Sequence, residues 1–275
     1  MCPPDHFQVA YAINPWMDPD LPVDAELAGK QWLRLRETLA ELGHTVHELA
    51  PVPGLPDLVY AANGGFALDG IALGARFRHP QRVAEAAEHR RWYEQHGWRY
   101  VAPTAVAEGE GDLLWTGGLI LGGYGFRTQL ATHQQVQETF GYPVISLRLV
   151  DPRFYHLDTA LAVLSDTAAA PVPPQIAYFP GAFSPASARI LGRLFPDALI
   201  ADETDAAAFG LNLVSDGRHV VLNAEATGMA GRLAAAGYTP VPVELSELKK
   251  GGGSVKCCVL ELHRKNGASP VAPAP

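Results

Sequence analysis

Three glycines precede a pair of thiols in the run Gly251-Gly252-Gly253-Ser254-Val255-Lys256-Cys257-Cys258. Glycines allow backbone N–H groups to approach a substrate closely, and a thiol directly after them is presented to it. The same run also suits a flexible turn in which Cys257 and Cys258 are small buried hydrophobes. Two further stretches hold groups that would give a thiol work: Glu108-Gly109-Glu110-Gly111-Asp112 and His156-Leu157-Asp158. Arg127 follows Tyr124-Gly125-Phe126, an apolar context that favours a buried partner, and Arg82 is a second candidate cation. Asn14 stands before Pro15, where Asn commonly starts a turn, and Asn63 closes the stretch that begins at Pro56. Carboxylates in pairs suit the planar, bidentate guanidinium. That cation resists attack because its charge is delocalised. A thiolate over its central carbon, with carboxylates fixing its plane, is the economical way to open it. His156 would protonate the departing amine and then activate water against the covalent intermediate.

Composition narrows the setting for this chemistry. The chain has 275 residues, 48% hydrophobic and 18% charged, enough to bury one large core. A formal net charge of −8, with no Lys/Arg-rich run, argues against nucleic acid or an anionic membrane as partner. The first residues lack the basic and apolar regions of a signal peptide, and no 18-residue apolar run occurs, so a cytoplasmic protein is expected. Three cysteines without a Cys-x-x-Cys or His-x-x-x-His pair give neither a disulfide framework nor a metal site. A small molecule is the expected partner and no cofactor or metal is implied; a homo-oligomer is left open.

The elements that must position these residues repeat along the chain. Helical spacing of apolar residues predicts helices over Asp24–Leu42, Pro80–His96, Thr128–Phe140, Ser184–Phe195 and Glu225–Ala236. Strands are expected after them at His44–Leu49, Trp98–Val101, Val144–Leu149, Ala198–Ile200 and Tyr238–Val243, with another near Val9–Ile13 and a terminal one over Val255–Leu262. Hairpins follow in turn, the clearest being Phe66–Leu73 around Asp69-Gly70, a type I′ signal. Five units of roughly 40–55 residues signal a closed or stacked repeat architecture. A ring closes most simply if the strand near Val9 completes the fifth unit. The polar stretches all fall between a strand and a hairpin, so a ring would bring five distant loops to one central pocket. Residues 265–275 read as a disordered tail after a single domain over 1–264.

Taken together, Asn63 in Pro-Asp-Leu-Val-Tyr-Ala-Ala-Asn, the Glu-Gly-Glu-Gly-Asp run, His-Leu-Asp at 156–158 and Gly-Gly-Gly-Ser-Val-Lys-Cys resemble the guanidine-modifying superfamily. Its members include dimethylarginine dimethylaminohydrolases, arginine deiminases and glycine amidinotransferases. The resemblance spans about residues 7–264. It implies a five-bladed α/β-propeller with pseudo-fivefold symmetry and a central active site. It also implies Cys257 as nucleophile, His156 as general acid and base, and Asp158 with the carboxylates of the 108–112 loop around the guanidinium. Arg127 is similar in spacing to an arginine that grips the substrate's α-carboxylate, and Arg82 is a weaker match. Members commonly carry Gly-Gly-Asp after the loop's acidic residue. The extra Glu110 here leaves open whether Glu108 or Glu110 faces the substrate. Asn63 stands where deiminases and dimethylaminohydrolases usually have Asp. With Ile-Asn-Pro-Trp-Met near the N-terminus, which includes Asn14, it resembles the arginine dihydrolase branch, which takes arginine to ornithine, carbon dioxide and ammonia. Release of citrulline is the alternative; transfer of the amidino group or simple amino-acid binding are more distant ones.

Overall fold

The computed structural model describes residues 1–165 and 175–263. The expected tail, 265–275, lies outside the described residues.

All five expected helices form, each a little shorter than its apolar pattern. Ala25–Glu41 begins where the side chain of Asp24 accepts the N–H of Leu27 at 2.9 Å, an N-cap that satisfies one free donor of the first turn. Pro185–Leu194 is capped in the same way by Ser184. The Pro80–His96 segment divides into a 3-10 turn at Pro80–Arg82 and a helix at Glu85–Gln95; the others are Leu130–Phe140 and Thr227–Ala235. Two short helices not read from the sequence, Glu203–Ala207 and Ser246–Lys249, are too brief to show a period.

The strands make four small mixed sheets of one design. An antiparallel hairpin leads into a helix, and the strand after the helix returns parallel to the hairpin's second strand. The hairpins are Gly65–Leu68 with Ile71–Gly74, Leu113–Trp115 with Ile120–Tyr124, Leu161–Ser165 with Gln175–Tyr178, and Val214–Ser215 with His219–Asn223. Their parallel partners are Arg99–Val101, Val144–Arg148, Leu199–Ile200 and Thr239–Val243. Each post-helix strand therefore joins the hairpin before it, so the structural unit starts at the hairpin and not at the helix. Asp69 and Gly70 both take positive φ, as their type I′ turn requires.

Three expected strands do not form. Around Val9–Ile13 the chain serves side chains instead: Tyr11 Oη donates to Asp57, and the Ile13 carbonyl accepts from Arg127 at 2.9 Å. His44–Leu49 runs beside the N-terminus, with Leu49 N donating to Met1 O, and joins no sheet. Val255–Cys258 is a turn, leaving only Leu262–His263 as strand. That strand pairs parallel with Ala67–Leu68, so the C-terminal part of the described chain, and not the segment near Val9, joins the first sheet. The apolar faces of sheets and helices pack into one large cluster around Leu121, Phe154, Leu161, Ile176 and Leu222 and a second around Trp32, Leu35, Val59, Leu245 and Val255. Among the described residues no helix is long and apolar enough to cross a membrane.

Candidate active site

A tight 3-10 turn precedes each of the first three hairpins: Pro56–Val59 with Ala61–Gly64, Gly109–Gly111, and Leu157–Thr159. Asn212 occupies the corresponding point before the fourth hairpin, and the Ser254–Cys258 turn precedes the last strand. These five points meet. Ala62 N donates to Cys257 O at 3.1 Å, Asn63 Nδ2 reaches Glu108 O at 3.4 Å, and Asn212 Nδ2 donates to Asp158 O at 3.1 Å.

Asn212 holds the thiol. Its Oδ1 accepts the N–H groups of both Ser254 and Cys257 at 3.1 Å, which curls the backbone into a turn, and its Nδ2 lies 3.1 Å from Cys257 Sγ. The sulfur also lies 3.4 Å from Asp158 Oδ2. Burial, followed by the charge of Asp158, pushes the thiol well above its ordinary pKa, against the hydrogen bonds from Ser254 and Asn212. The neutral thiol is favoured over the thiolate there. Burial likewise raises Asp158 to about 6, although His156, Lys256 and Cys257 oppose it. Its second oxygen, Oδ1, is buried with no hydrogen-bond partner. An orphaned carboxylate oxygen beside a thiol is a place for a donor to arrive, since burying it unpaired is costly.

Glu108 gathers three partners. Oε2 lies 2.8 Å from His156 Nε2 and accepts from Arg127 Nη1 at 3.1 Å, while Oε1 accepts from Arg78 N at 2.9 Å. Burial opposes its charge, but the His156 bond and the field of Arg127 win and hold the carboxyl far below the usual range. Arg127 also donates to Ile13 O and lies over the Tyr155 ring, 4.6 Å from its centroid. Asn63 and Arg82 form a second linked pair: Arg82 Nη1 donates to Asn63 Oδ1 at 2.7 Å. The remaining guanidinium donors of Arg82 bind Glu85 at 2.9 and 2.7 Å and the Asp57 carbonyl at 3.1 Å.

Cys257, His156, Asp158, Glu108, Asn63, Arg82 and Arg127 are thus gathered into one buried polar cluster. Three other expected site residues are placed elsewhere. Asp112 gives both oxygens to backbone N–H groups, those of Thr128 and Leu157 at 3.1 Å, and so clamps the loops that carry Arg127 and His156. Glu110 binds Lys256 at 2.7 Å, whereas Glu108 is the one of the two that binds His156. Asn14 braces the glycine run: Nδ2 donates to Gly251 O at 3.1 Å, and any Cβ on Gly252, whose φ is +84°, would lie 2.6 Å from the Asn14 side chain. Tyr155 and Glu85 had no role in the sequence reading, whereas Asn212 stands at the repeat position that the other polar stretches share.

A thiol, an imidazole on a carboxylate and a carboxylate with an unpaired oxygen stand together at the meeting point of hairpin-led α/β units. No family model matches the chain. It is 54% identical over 263 residues, 96% of its length and 85% of the relative's, to a dimethylarginine dimethylaminohydrolase of Mycobacterium tuberculosis. It is 35% identical over 269 residues to the bifunctional arginine dihydrolase/ornithine cyclodeaminase ArgZ of Synechocystis sp., matching 95% of this chain but 37% of that protein. The substrate-bound N-terminal domain of ArgZ superposes with a TM-score of 0.90 at 34% identity, covering 96% of this chain and 97% of that one. The chain belongs to the dimethylarginine dimethylaminohydrolase and arginine dihydrolase family of the pentein superfamily, hydrolases acting on C–N bonds of the guanidino group.

Proposed function

We propose that this protein hydrolyses the guanidinium of arginine through a covalent intermediate on Cys257, giving ornithine, carbon dioxide and ammonia. The observation that carries the chemistry is Asp158, whose Oδ2 lies 3.4 Å from Cys257 Sγ while its Oδ1 is buried without a partner among the described residues. A guanidinium there would satisfy that oxygen, and its positive charge would favour the thiolate that burial otherwise suppresses. The thiol gives its proton to His156, the resulting thiolate attacks the central carbon, and the C–N bond to a terminal nitrogen breaks. His156, oriented by Glu108, delivers a proton to that nitrogen, and ammonia leaves a thiouronium on sulfur. His156 then takes a proton from water as it adds to the same carbon.

The product depends on the next bond to break. Loss of sulfur releases citrulline. Loss of the second ammonia leaves a carbonyl on sulfur, and a second water then frees ornithine and carbon dioxide. Asn63 favours the second course in this reading, because it is neutral and offers both a donor and an acceptor to a neutral intermediate. An ArgZ asparagine-to-serine variant is known covalently bonded to a reaction intermediate. The identity to the mycobacterial dimethylaminohydrolase favours a second reading, in which methylarginine loses its methylated amine and citrulline is released. In either case the four sheets are read as blades of a five-bladed α/β-propeller, with the N-terminal segment and the Ser254–Cys258 turn at the fifth position around the central site.

Incubation with arginine, N-methylarginines, citrulline and agmatine, with products identified by mass spectrometry, tests this. Ornithine with two ammonia per arginine is expected. Citrulline with one ammonia or one methylamine per turnover would move the protein to the second reading.

A further inference from the structure

Glu110 stands two residues from Glu108, yet its carboxylate is committed to the neighbour of the thiol. Its Oε2 accepts from Lys256 Nζ at 2.7 Å and from Glu261 N at 2.7 Å, and Oε1 meets His263 Nε2 at 3.0 Å. Lys256 Nζ also donates to Glu261 Oε2 at 2.7 Å and to Val259 O at 3.2 Å. The side chains of Lys256 and Glu110 are 5% and 1% exposed, so this pair is shielded from water. Glu110, Glu261 and His263 place ligand atoms within 4.8 Å of one another, as a metal site would. The Lys256 ammonium already supplies the cation there.

The location of this pair matters more than its charge. Asn212 fastens the Cys257 turn to the loop of Asp158, and Ala62 N fastens it to the loop of Asn63. The loop that carries Glu108 is fastened to the same turn through Lys256 and Glu110. Lys256 and Cys257 are consecutive and point to opposite sides, one to Glu110 and the other to Asp158. A shift of Glu110 would carry Glu108 with it, and Glu108 holds His156 at 2.8 Å.

We propose that the buried Lys256–Glu110 pair is a positioning device that sets the Cys257 thiol against the His156–Glu108 pair. The proposal rests on the reading of Cys257 as nucleophile and His156 as proton carrier. A misplacement of about 1 Å between reacting groups can cost about 10²-fold in rate, so a lost tether should show in turnover before it shows in substrate affinity. A pair that only supports the fold behaves differently. Breaking one partner leaves a buried charge, and neutralising both removes that penalty together with all its consequences.

The test compares Lys256→Met, Lys256→Arg and the double variant Lys256→Met/Glu110→Gln. For each, kcat, KM, melting temperature and the rate of iodoacetamide alkylation at Cys257, located by peptide mass, are measured. In Lys256→Met, kcat should fall by about tenfold or more with KM changed less than about threefold, and alkylation of Cys257 should change in rate. Lys256→Arg, which keeps the cation, should recover most of the loss. The double variant should regain melting temperature but neither kcat nor the native alkylation rate. Recovery of all three together in the double variant, or an unaltered kcat and alkylation rate in Lys256→Met, overturns the proposal. Should the wild type turn over no guanidino substrate, or Cys257→Ser remain active, the reading of the site fails instead, and the alkylation rates still decide the role of the pair.

Discussion

Asp158 Oδ2 lies 3.4 Å from Cys257 Sγ while its other oxygen, Oδ1, is buried without a partner. One carboxylate therefore touches the thiol and keeps an acceptor for the guanidinium of the proposed reaction. Loss of the thiol should accordingly be decisive. Cys257→Ser is expected to lower kcat by several orders of magnitude, as removal of an essential nucleophile does. Cys258→Ala, which deletes a buried sulfur that the site does not use, should cost on the order of 1 kcal/mol of stability with kcat nearly unchanged. Steady-state kinetics and urea unfolding separate the two.

The pH dependence of the free enzyme follows from Asp158. Burial raises its pKa to about 6, and only the carboxylate attracts a guanidinium, so kcat/KM should climb as pH rises through about 6. The stability sign is the reverse. A folded-state pKa raised above the ordinary value of 3.8 contributes stability below that value, which is lost as pH rises through about 6. Asp158→Asn should therefore abolish the activity limb and, at pH 7, leave melting temperature equal or higher. A lower melting temperature in Asp158→Asn would contradict this.

Glu108 carries the opposite sign. Its pKa is depressed in the fold, so its contribution to stability is present above the ordinary value of 4.5 and is lost as pH falls through the depressed one. Glu108→Gln should be less stable than wild type at pH 7, and the difference should shrink on acidification below about 4.5, the unperturbed range. Thermal melts at a series of pH values give the comparison directly.

Arg127 forms a buried pair with Glu108 at 3.1 Å and covers the Tyr155 ring. Arg127→Ala leaves Glu108 with fewer counter-charges in a site that excludes water, and should destabilise the protein by roughly 3–5 kcal/mol. If Arg127 also meets the α-carboxylate of the substrate, KM for arginine should rise with it, and agmatine, lacking that group, should be a poor substrate of the wild type. Equal turnover of agmatine and arginine would remove the second role and leave the first.

Asn63 tests the course of the reaction. Its Oδ1 accepts from Arg82 at 2.7 Å and its Nδ2 faces the Glu108 carbonyl at 3.4 Å. Asn63→Asp keeps the bond from Arg82 but turns an oxygen towards that carbonyl, which displaces the side chain and adds a charge unsuited to a neutral intermediate. Product should shift from ornithine towards citrulline, as read by mass spectrometry. Gly111→Ala perturbs the same amide by steric means, since its Cβ would lie 2.4 Å from Asn63 Nδ2 and 3.1 Å from His156 Cγ. It should lower kcat sharply; a variant with native kinetics would show that the Asn63 amide can yield.

Local sequence was enough for the five longer helices, because each has its own apolar period and two carry their own caps, Asp24 and Ser184. It was enough too for the Asp69-Gly70 hairpin and for the order of the polar stretches. From these the residues gathered around Cys257 could be named, as could the loops that bring them. The direction in which a side chain leaves its loop is a tertiary property. Glu108 and Glu110 are equivalent in the sequence, and only Lys256 and Glu261 on one side, with His156 and Arg127 on the other, separate them. The strand near Val9 failed for the same reason, its backbone being drawn to Arg127 by a partner more than a hundred residues away. Asp112 and Asn14 have the chemistry of substrate ligands, but packing turns the first to backbone amides and the second to the glycine run. Spacing tells which groups arrive at a site; the hydrogen-bond partners available in the folded interior decide which of them are left free to act.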